Sequence, residues 1–252
     1  MSETKFKYIG KRMTRTEDPR ILTGQAPYVG DVNLPGMLHG FFLRSDYAFA
    51  KINSIDYSEA LKIPGVVGIY TAEDMGDFWK PGPQLVPAPT VIPGTIFNRR
   101  TQVPLAKDYV RHQGEPIAFV VAETRYIAED AAAEIIADLE PLDPVVDLAT
   151  ALDPDTPLVY PDLGTNLASF VKQEVGSWEE AKAQADFVLS ERFDIDRCIG
   201  GALETRSYVA HWDEKEQYLT FWATTQSPIN IRNGLAAMFG LSESQVRVIA
   251  PF

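Results

Sequence analysis

Residues 217–252, QYLTFWATTQSPINIRNGLAAMFGLSESQVRVIAPF, predict a strand, a tight loop, a helix and a second strand in close succession. Side chains alternate along residues 218–223, which is the period-two pattern of a β-strand. Ser227 is a typical N-cap residue, and Pro228 suits the first helical position because an N–H there would have no intrahelical partner. The helix has an apolar face formed by Ile229, Leu235, Ala236 and Phe239. Residues 245–250 then form a second β-rich run.

The loop of residues 224–227 lies between the end of that strand and the helix N-terminus. Polar side chains and free backbone N–H groups meet at such points, which often bind ligands in α/β folds. Gln226 carries a donor and an acceptor on one neutral amide, so it can contact an oxo or hydroxyl ligand without adding charge. Local sequence alone favours the simpler interpretation, in which Gln226 and Ser227 satisfy the turn.

The composition excludes several classes of function. The chain has 252 residues, enough for one large domain or two modest ones, and a net charge of −12. An acidic surface repels phosphate backbones and anionic lipid, so we expect no nucleic-acid partner and no membrane surface. The sequence contains no apolar run long enough to span a bilayer and no apolar signal segment near its start. We therefore expect a cytoplasmic protein.

Few residues could hold a metal or act as a nucleophile. The single cysteine, Cys198, excludes an intrachain disulfide and an iron–sulfur cluster held by four thiolates. His39, His112 and His211 are far apart in sequence and have no metal-ligand spacing. No nucleophile–base pair and no dinucleotide fingerprint is present. Composition and spacing alone indicate an acidic α/β chain of two units.

The N-terminal half predicts an extended lead-in followed by alternating strands and helices. The predicted elements are strands 37–43, 50–56, 66–71 and 117–122, with a short helix over 58–63. A longer helix is predicted from Thr124 to about Leu139, because apolar residues recur every four positions. Glu115 could be a functional carboxylate, but a turn before a strand explains it adequately. Residues 79–104 predict a long arm, which is either a subunit contact or a variable insertion.

A proline- and aspartate-rich segment, residues 143–168, separates the two halves. Beyond it, Ser177 caps a short helix ending near Ala185, in a capping-box pattern. Strands are predicted over 187–194 and 202–212, and the second forms a hairpin with 218–224. On that strand Glu204 is either a buried functional acid or, more simply, half of a surface pair with Arg206.

Several segments resemble one enzyme family. The run 223–251 is similar to the molybdopterin-binding large chain of the xanthine dehydrogenase, aldehyde oxidase and carbon monoxide dehydrogenase family, which has a Thr-Gln-x-Pro loop, a helix and a Val-Arg-Val strand. Residues 64–75 (PGVVGIYTAEDM) and 110–132 (VRHQGEPIAFVVAETRYIAEDAA) resemble the family's hammerhead domain. The resemblance implies an α+β fold: an α/β hammerhead domain with an N-terminal arm (1–150), a linker (151–166) and an incomplete mixed α/β molybdopterin-binding domain (167–252).

The resemblance also implies a function. Members oxidise aldehydes, N-heterocycles or carbon monoxide with water-derived oxygen at a molybdenum–molybdopterin centre. Their electrons leave through iron–sulfur clusters and often FAD, on other domains or subunits. Carried over by motif, Gln226 is the catalytic residue that faces the oxo ligands or the substrate. Thr225 and Ser227 hold its loop and, with Gln226, form the cofactor-binding set.

The partners follow from the same resemblance. We expect a second polypeptide to complete the molybdopterin site, with an iron–sulfur subunit, in some complexes a flavin subunit, and a small-molecule substrate. Two alternatives stay open. In the first, the chain is a non-catalytic assembly subunit in which Gln226 is vestigial. In the second, it is a piece of a longer chain.

Overall fold

The computed structural model describes residues 7–82, 92–98, 100 and 102–251. They form two compact units. The central unit contains residues 35–198, and the C-terminal unit combines residues 199–251 with residues 7–34. The predicted linker, 151–166, thus lies inside the central unit, and the N-terminal arm belongs with the C-terminal residues. The domain bounds expected at residues 150 and 167 stay a prediction.

The strands and α-helices have the following bounds. The strands are β1 (His39–Arg44), β2 (Ala50–Asp56), β3 (Val66–Thr71), β4 (Ile96–Phe97), β5 (Tyr109–Val110), β6 (Pro116–Ala122), β7 (Ile136–Pro141), β8 (Ser169–Phe170), β9 (Tyr208–Asp213), β10 (Tyr218–Ala223) and β11 (Val246–Ile249). The α-helices are α1 (Asp18–Leu22), α2 (Arg125–Ala133), α3 (Trp178–Gln184) and α4 (Pro228–Phe239). None of the helices in the described ranges has both the length and the apolar composition to cross a membrane.

The central unit is built from two antiparallel three-stranded sheets. Their strand orders are β1-β6-β3 and β5-β2-β7, and β4 and β8 form a separate short pair. Helix α2 packs on β1 and β6 through small side chains, since Ala128, Ala131 and Ala132 are buried against β6. Ile117 belongs to a second core with Val110. This alanine-rich face allows the helix to pack closely on the sheet.

Helix α2 is shorter than the sequence predicts. It ends at Ala133, and the chain continues into β7, where Leu139 pairs with Ile52 of β2. The apolar spacing does continue through Ile135, but β-branched Ile135 and Ile136 favour an extended chain. Pairing with β2 then satisfies the backbone of β7. The prediction of a helix to residue 139 is wrong for this reason.

The segment after β7 is held against the rest of the central unit. Asn98 Nδ2 donates to Leu167 O (2.6 Å), and Arg111 Nε donates to Val159 O (3.3 Å). The ring of Tyr160 lies within 4.6 Å of the Arg111 guanidinium and 5.3 Å of the Arg100 guanidinium. These contacts order the linker. Of the predicted arm, residues 83–91, 99 and 101 lie outside the described residues.

The C-terminal unit has one sheet of order β11-β10-β9. Strands β9 and β10 form the predicted antiparallel hairpin, and β10 pairs with β11 in parallel. Helix α4 covers one face, where Leu219, Ala236 and Val246 form a small core. Gly240 ends the helix with φ of 68°, a left-handed conformation that glycine adopts at low cost. Val29 of the N-terminal segment is only 1% exposed in this unit.

Two predicted strands are absent or shortened. The described residues 185–207 contain no strand, so the prediction of 187–194 is wrong and the prediction of 202–212 holds only from Tyr208. The apolar side chains that suggested these strands are exposed, with Phe193 at 82% and Leu203 at 106%. A strand needs a neighbour for its backbone N–H and C=O groups, and none of the described strands pairs with this segment.

Candidate functional site

The loop of residues 224–227 joins β10 to α4, as the sequence predicts. Strand β10 ends at Ala223 and α4 begins at Pro228. The Ser227 backbone N–H donates to Thr225 Oγ1 (3.0 Å), which closes the loop locally. The structure thus places the side chains of Thr225, Gln226 and Ser227 together at one end of the sheet.

Gln226 is exposed at the tip of this loop. Within the described residues its side-chain amide makes no hydrogen bond, so the turn does not use it. The turn-only interpretation of Gln226 is therefore wrong for its side chain. A glutamine amide offers two N–H donors and one carbonyl acceptor, and all of them remain available to a ligand.

Ser227 occupies the N-cap position of α4, but its side chain does not cap the helix. Its backbone angles, φ −134° and ψ 63°, differ from the extended conformation in which a serine hydroxyl reaches the N–H groups of the first turn. The expectation of a side-chain cap is wrong for this reason. The Ser227 hydroxyl thus leaves the helix N-terminus uncapped, and the partial positive charge there favours an anionic or oxygen-rich ligand.

Thr224 anchors the start of the loop to the segment before β9. Its backbone N–H donates to Ser207 O (3.1 Å), and its Oγ1 accepts from the Ser207 N–H (3.3 Å). The same hydroxyl lies 3.3 Å from Glu204 Oε1. The loop is therefore fixed on its N-terminal side by side-chain and backbone contacts.

Glu204 does not form the predicted surface pair. No ion pair joins it to Arg206 in the part of the chain that the structure describes. Its half-buried carboxylate instead accepts from the Val29 backbone N–H (3.2 Å) and from Thr224 Oγ1 (3.3 Å). Sequence reasoning missed these contacts because Val29 lies 175 residues away along the chain, and no local pattern signals the pairing.

Glu115, the other tempting carboxylate, is explained by its turn. Its side chain is 7% exposed and accepts a hydrogen bond from the Arg111 backbone N–H, while His112 Nδ1 lies 3.7 Å away. Its backbone also pairs, because Glu115 O accepts from the Ser45 N–H (3.0 Å). The interpretation of Glu115 as a structural turn residue is confirmed.

The donor set of the loop suits hydrogen bonding to a cofactor rather than direct coordination of a metal. Within the described ranges, no group of three or more His, Cys, Asp or Glu residues could hold a metal ion. Gln226 supplies a neutral amide, and the start of α4 supplies backbone N–H groups. Such donors match the oxygen atoms of an oxo ligand or of an anionic cofactor.

Two family models match the chain. Residues 23–143 match the aldehyde oxidase and xanthine dehydrogenase a/b hammerhead domain. Residues 159–252 match the molybdopterin cofactor-binding domain, and this match includes the whole β10–α4 loop. Together they account for both halves of the sequence.

Individual relatives agree with these matches. The carbon monoxide dehydrogenase large chain of Afipia carboxidovorans is 37% identical over 260 residues, covering 98% of this chain and 31% of that one. The nicotine 6-hydroxylase large subunit of Paenarthrobacter nicotinovorans is 35% identical, covering 96% and 29%. The crystal structure of quinoline 2-oxidoreductase from Pseudomonas putida 86 superposes with a TM-score of 0.85 at 33% identity, covering 98% of this chain and 30% of that one.

The chain spans about a third of the length of these relatives. Within that third, the described fold, the two domain models and the Thr-Gln-x-Pro loop all agree. The chain belongs to the xanthine dehydrogenase, aldehyde oxidase and carbon monoxide dehydrogenase family of molybdenum hydroxylases, and it corresponds to the N-terminal part of their large subunits.

Proposed function

We propose that this chain forms part of the molybdopterin site of a multi-subunit oxidoreductase that oxidises an aldehyde, an N-heterocycle or a similar small molecule with oxygen from water. The observation that carries the proposal is the state of Gln226. It stands at the junction of β10 and α4, its amide is exposed, and the described protein makes no use of it. The match of residues 159–252 to the molybdopterin cofactor-binding domain supports a cofactor as its ligand.

In this function the cofactor, when bound, supplies oxygen transfer and takes up two electrons from the substrate. The chain's own contribution is orientation. The Gln226 amide donates a hydrogen bond to an oxygen atom of the cofactor or the substrate, and its neutrality leaves the charge of the site unchanged. Thr225 holds the loop by accepting from the Ser227 N–H (3.0 Å). The start of α4 adds backbone N–H groups that favour anionic parts of the cofactor.

The proposal includes partners. The relatives are named as a large chain and a large subunit, which supports assembly with further subunits. We propose that the rest of the molybdopterin site is provided by a second polypeptide or by further residues of a longer chain. An iron–sulfur subunit and, in a three-subunit complex, a third subunit with FAD would carry the electrons away. A cytoplasmic location stays a prediction.

The test is Gln226→Ala in the assembled enzyme. Loss of one preorganised donor at a reacting centre lowers turnover by about 10²-fold. Molybdenum content and assembly should not change, because the Gln226 side chain is exposed and makes no hydrogen bond within the described residues. Turnover is measured on a panel of aldehydes and N-heterocycles, and metal content by mass spectrometry.

Gln173→Ala is the matched control, since Gln173 is an exposed glutamine of the central unit. It should leave turnover unchanged. If Gln226→Ala also turns over at the normal rate with full molybdenum content, the assembly-subunit alternative is correct. An assembled complex that contains no molybdenum would refute the proposed function altogether.

A further inference from the structure

Glu204 connects two parts of the C-terminal unit that are far apart in sequence. A single carboxylate oxygen, Oε1, accepts from the Val29 backbone N–H (3.2 Å) and lies 3.3 Å from Thr224 Oγ1. Val29 is 1% exposed and belongs to the short 3₁₀ helix Val29–Asp31, which contacts β9. Thr224 is the residue at which the Gln226 loop begins. The N-terminal segment and the loop therefore share one anionic acceptor.

The Thr224 hydroxyl has one proton and three acceptors within reach. Glu204 Oε1 is at 3.3 Å, Thr205 O at 3.4 Å and Ser207 O at 3.5 Å. A charged acceptor forms the stronger hydrogen bond, and here it is also the nearest. The Ser207 N–H donates to the same hydroxyl (3.3 Å), which leaves the Thr224 proton free to point at Glu204. The carboxylate thus fixes the Thr224 side chain.

We infer that Glu204 is a positioning residue for the Gln226 loop and that it acts through Thr224, using buried Val29 as its fixed support. Gln226 itself makes no hydrogen bond to the described protein, so its location depends on the backbone of the loop. That backbone is held by Thr224 on one side and by the start of α4 on the other. The expected change in turnover on substituting Glu204 rests on the proposed function. The expected change in the order of the loop does not.

The experiment uses the assembled enzyme with Glu204→Ala, Gln226→Ala and the double variant. Displacing a catalytic group by about 1 Å costs up to about 10²-fold in rate, so Glu204→Ala should lower kcat by about tenfold or more, with molybdenum content retained. When Glu204→Ala is added to Gln226→Ala, the further loss of kcat should be less than about twofold, because the amide that Glu204 positions is already absent. Hydrogen–deuterium exchange of residues 224–231 should become faster.

Two further variants complete the design. Glu204→Gln keeps the length of the side chain and a carbonyl oxygen for the Val29 N–H, so it should restore most of the exchange protection and part of kcat. If Glu204→Ala does not assemble, Glu204→Gln replaces it in the comparison of the single variants with the double variant. Glu214→Ala is the matched control, since Glu214 is an exposed acid in the turn between β9 and β10. It should change neither rate nor exchange.

The outcomes separate this inference from the proposed function. If Gln226→Ala has no effect on turnover, the proposed function fails, and faster exchange of residues 224–231 in Glu204→Ala still supports the positioning role. Unchanged exchange in Glu204→Ala overturns the inference whatever the activity shows. Equal losses of kcat in the two backgrounds overturn it as well, because Glu204 would then act independently of Gln226.

Discussion

Replacing Glu115 by alanine should lower the free energy of unfolding of the central unit by about 2 kcal/mol, within a range of roughly 1.5–3 kcal/mol for a hydrogen bond to a charged group. The structure limits the effect to the side chain. The backbone bonds of Glu115 to Ser45 and His112 remain in the variant, whereas the Arg111 N–H loses its carboxylate acceptor. Because the Glu115 side chain is 7% exposed, the solvent screening that weakens surface pairs is small here.

Urea unfolding followed by circular dichroism measures this loss, provided that the slope of free energy against urea is the same in each variant. Glu115→Gln keeps a neutral acceptor and should cost about 1 kcal/mol. The exposed Glu129 of α2 provides the control, and Glu129→Ala should stay within about 0.5 kcal/mol of the parent. A loss below about 0.5 kcal/mol in Glu115→Ala would refute the turn-closing role. Loss of turnover at unchanged stability would restore the functional-carboxylate interpretation.

Three further predictions concern the fold. Gly40→Ala places a Cβ 2.3 Å from Phe119 Cζ, so it should cost about 1–3 kcal/mol in thermal unfolding; an unchanged melting temperature would contradict the packing. Ser177→Ala removes the oxygen that accepts from the third N–H of α3 (3.3 Å) and should cost about 1 kcal/mol, seen as faster amide exchange in that helix alone. The Ser58 N–H lowers the pKa of Asp56 by donating to its carboxylate (2.9 Å). This contribution to stability is complete above the unfolded-state pKa of Asp56 and is lost as pH falls through the lower folded-state pKa. The difference in unfolding free energy between the parent and Asp56→Asn should therefore shrink on acidification. A difference that grows would contradict this assignment.

Strands with two alternating faces were predicted well from sequence, since strands 50–56 and 66–71 have the bounds that the structure shows. The error at α2 has a physical origin. Apolar residues continue at helical spacing past Ala133, but Leu139 lies in β7, and Ile135 lies between the end of α2 and that strand. Helical and extended chains both bury residues four positions apart, because four is close to one helical turn and is also an even number. Only the pairing of β7 with β2 decides between them.

The segment 187–194 shows a different limit of sequence reasoning. Phe187, Leu189 and Phe193 occupy odd-numbered positions, which would place them on one face of a strand, and yet they are exposed. Periodicity reports which face of a strand would be apolar. It carries no information on whether a neighbouring strand is present to pair with the backbone. A strand forms only where its backbone N–H and C=O groups find such partners, whatever the pattern of its side chains.

The candidate site likewise has one part that local sequence predicts and one part that it does not. The position of the Gln226 loop follows from local sequence, because a strand pattern, Ser227 and Pro228 mark where β10 ends and α4 begins. What makes the loop suitable for a ligand is not local. It depends on a Gln226 amide left unbonded and on a Glu204 carboxylate whose second partner is 175 residues distant. Short-range patterns specify backbone conformation, whereas the orientation of a functional side chain is set by contacts that only the folded chain brings together. Glu204 is therefore the residue whose substitution separates the two contributions, since it leaves the local sequence of the loop intact and removes only the long-range support.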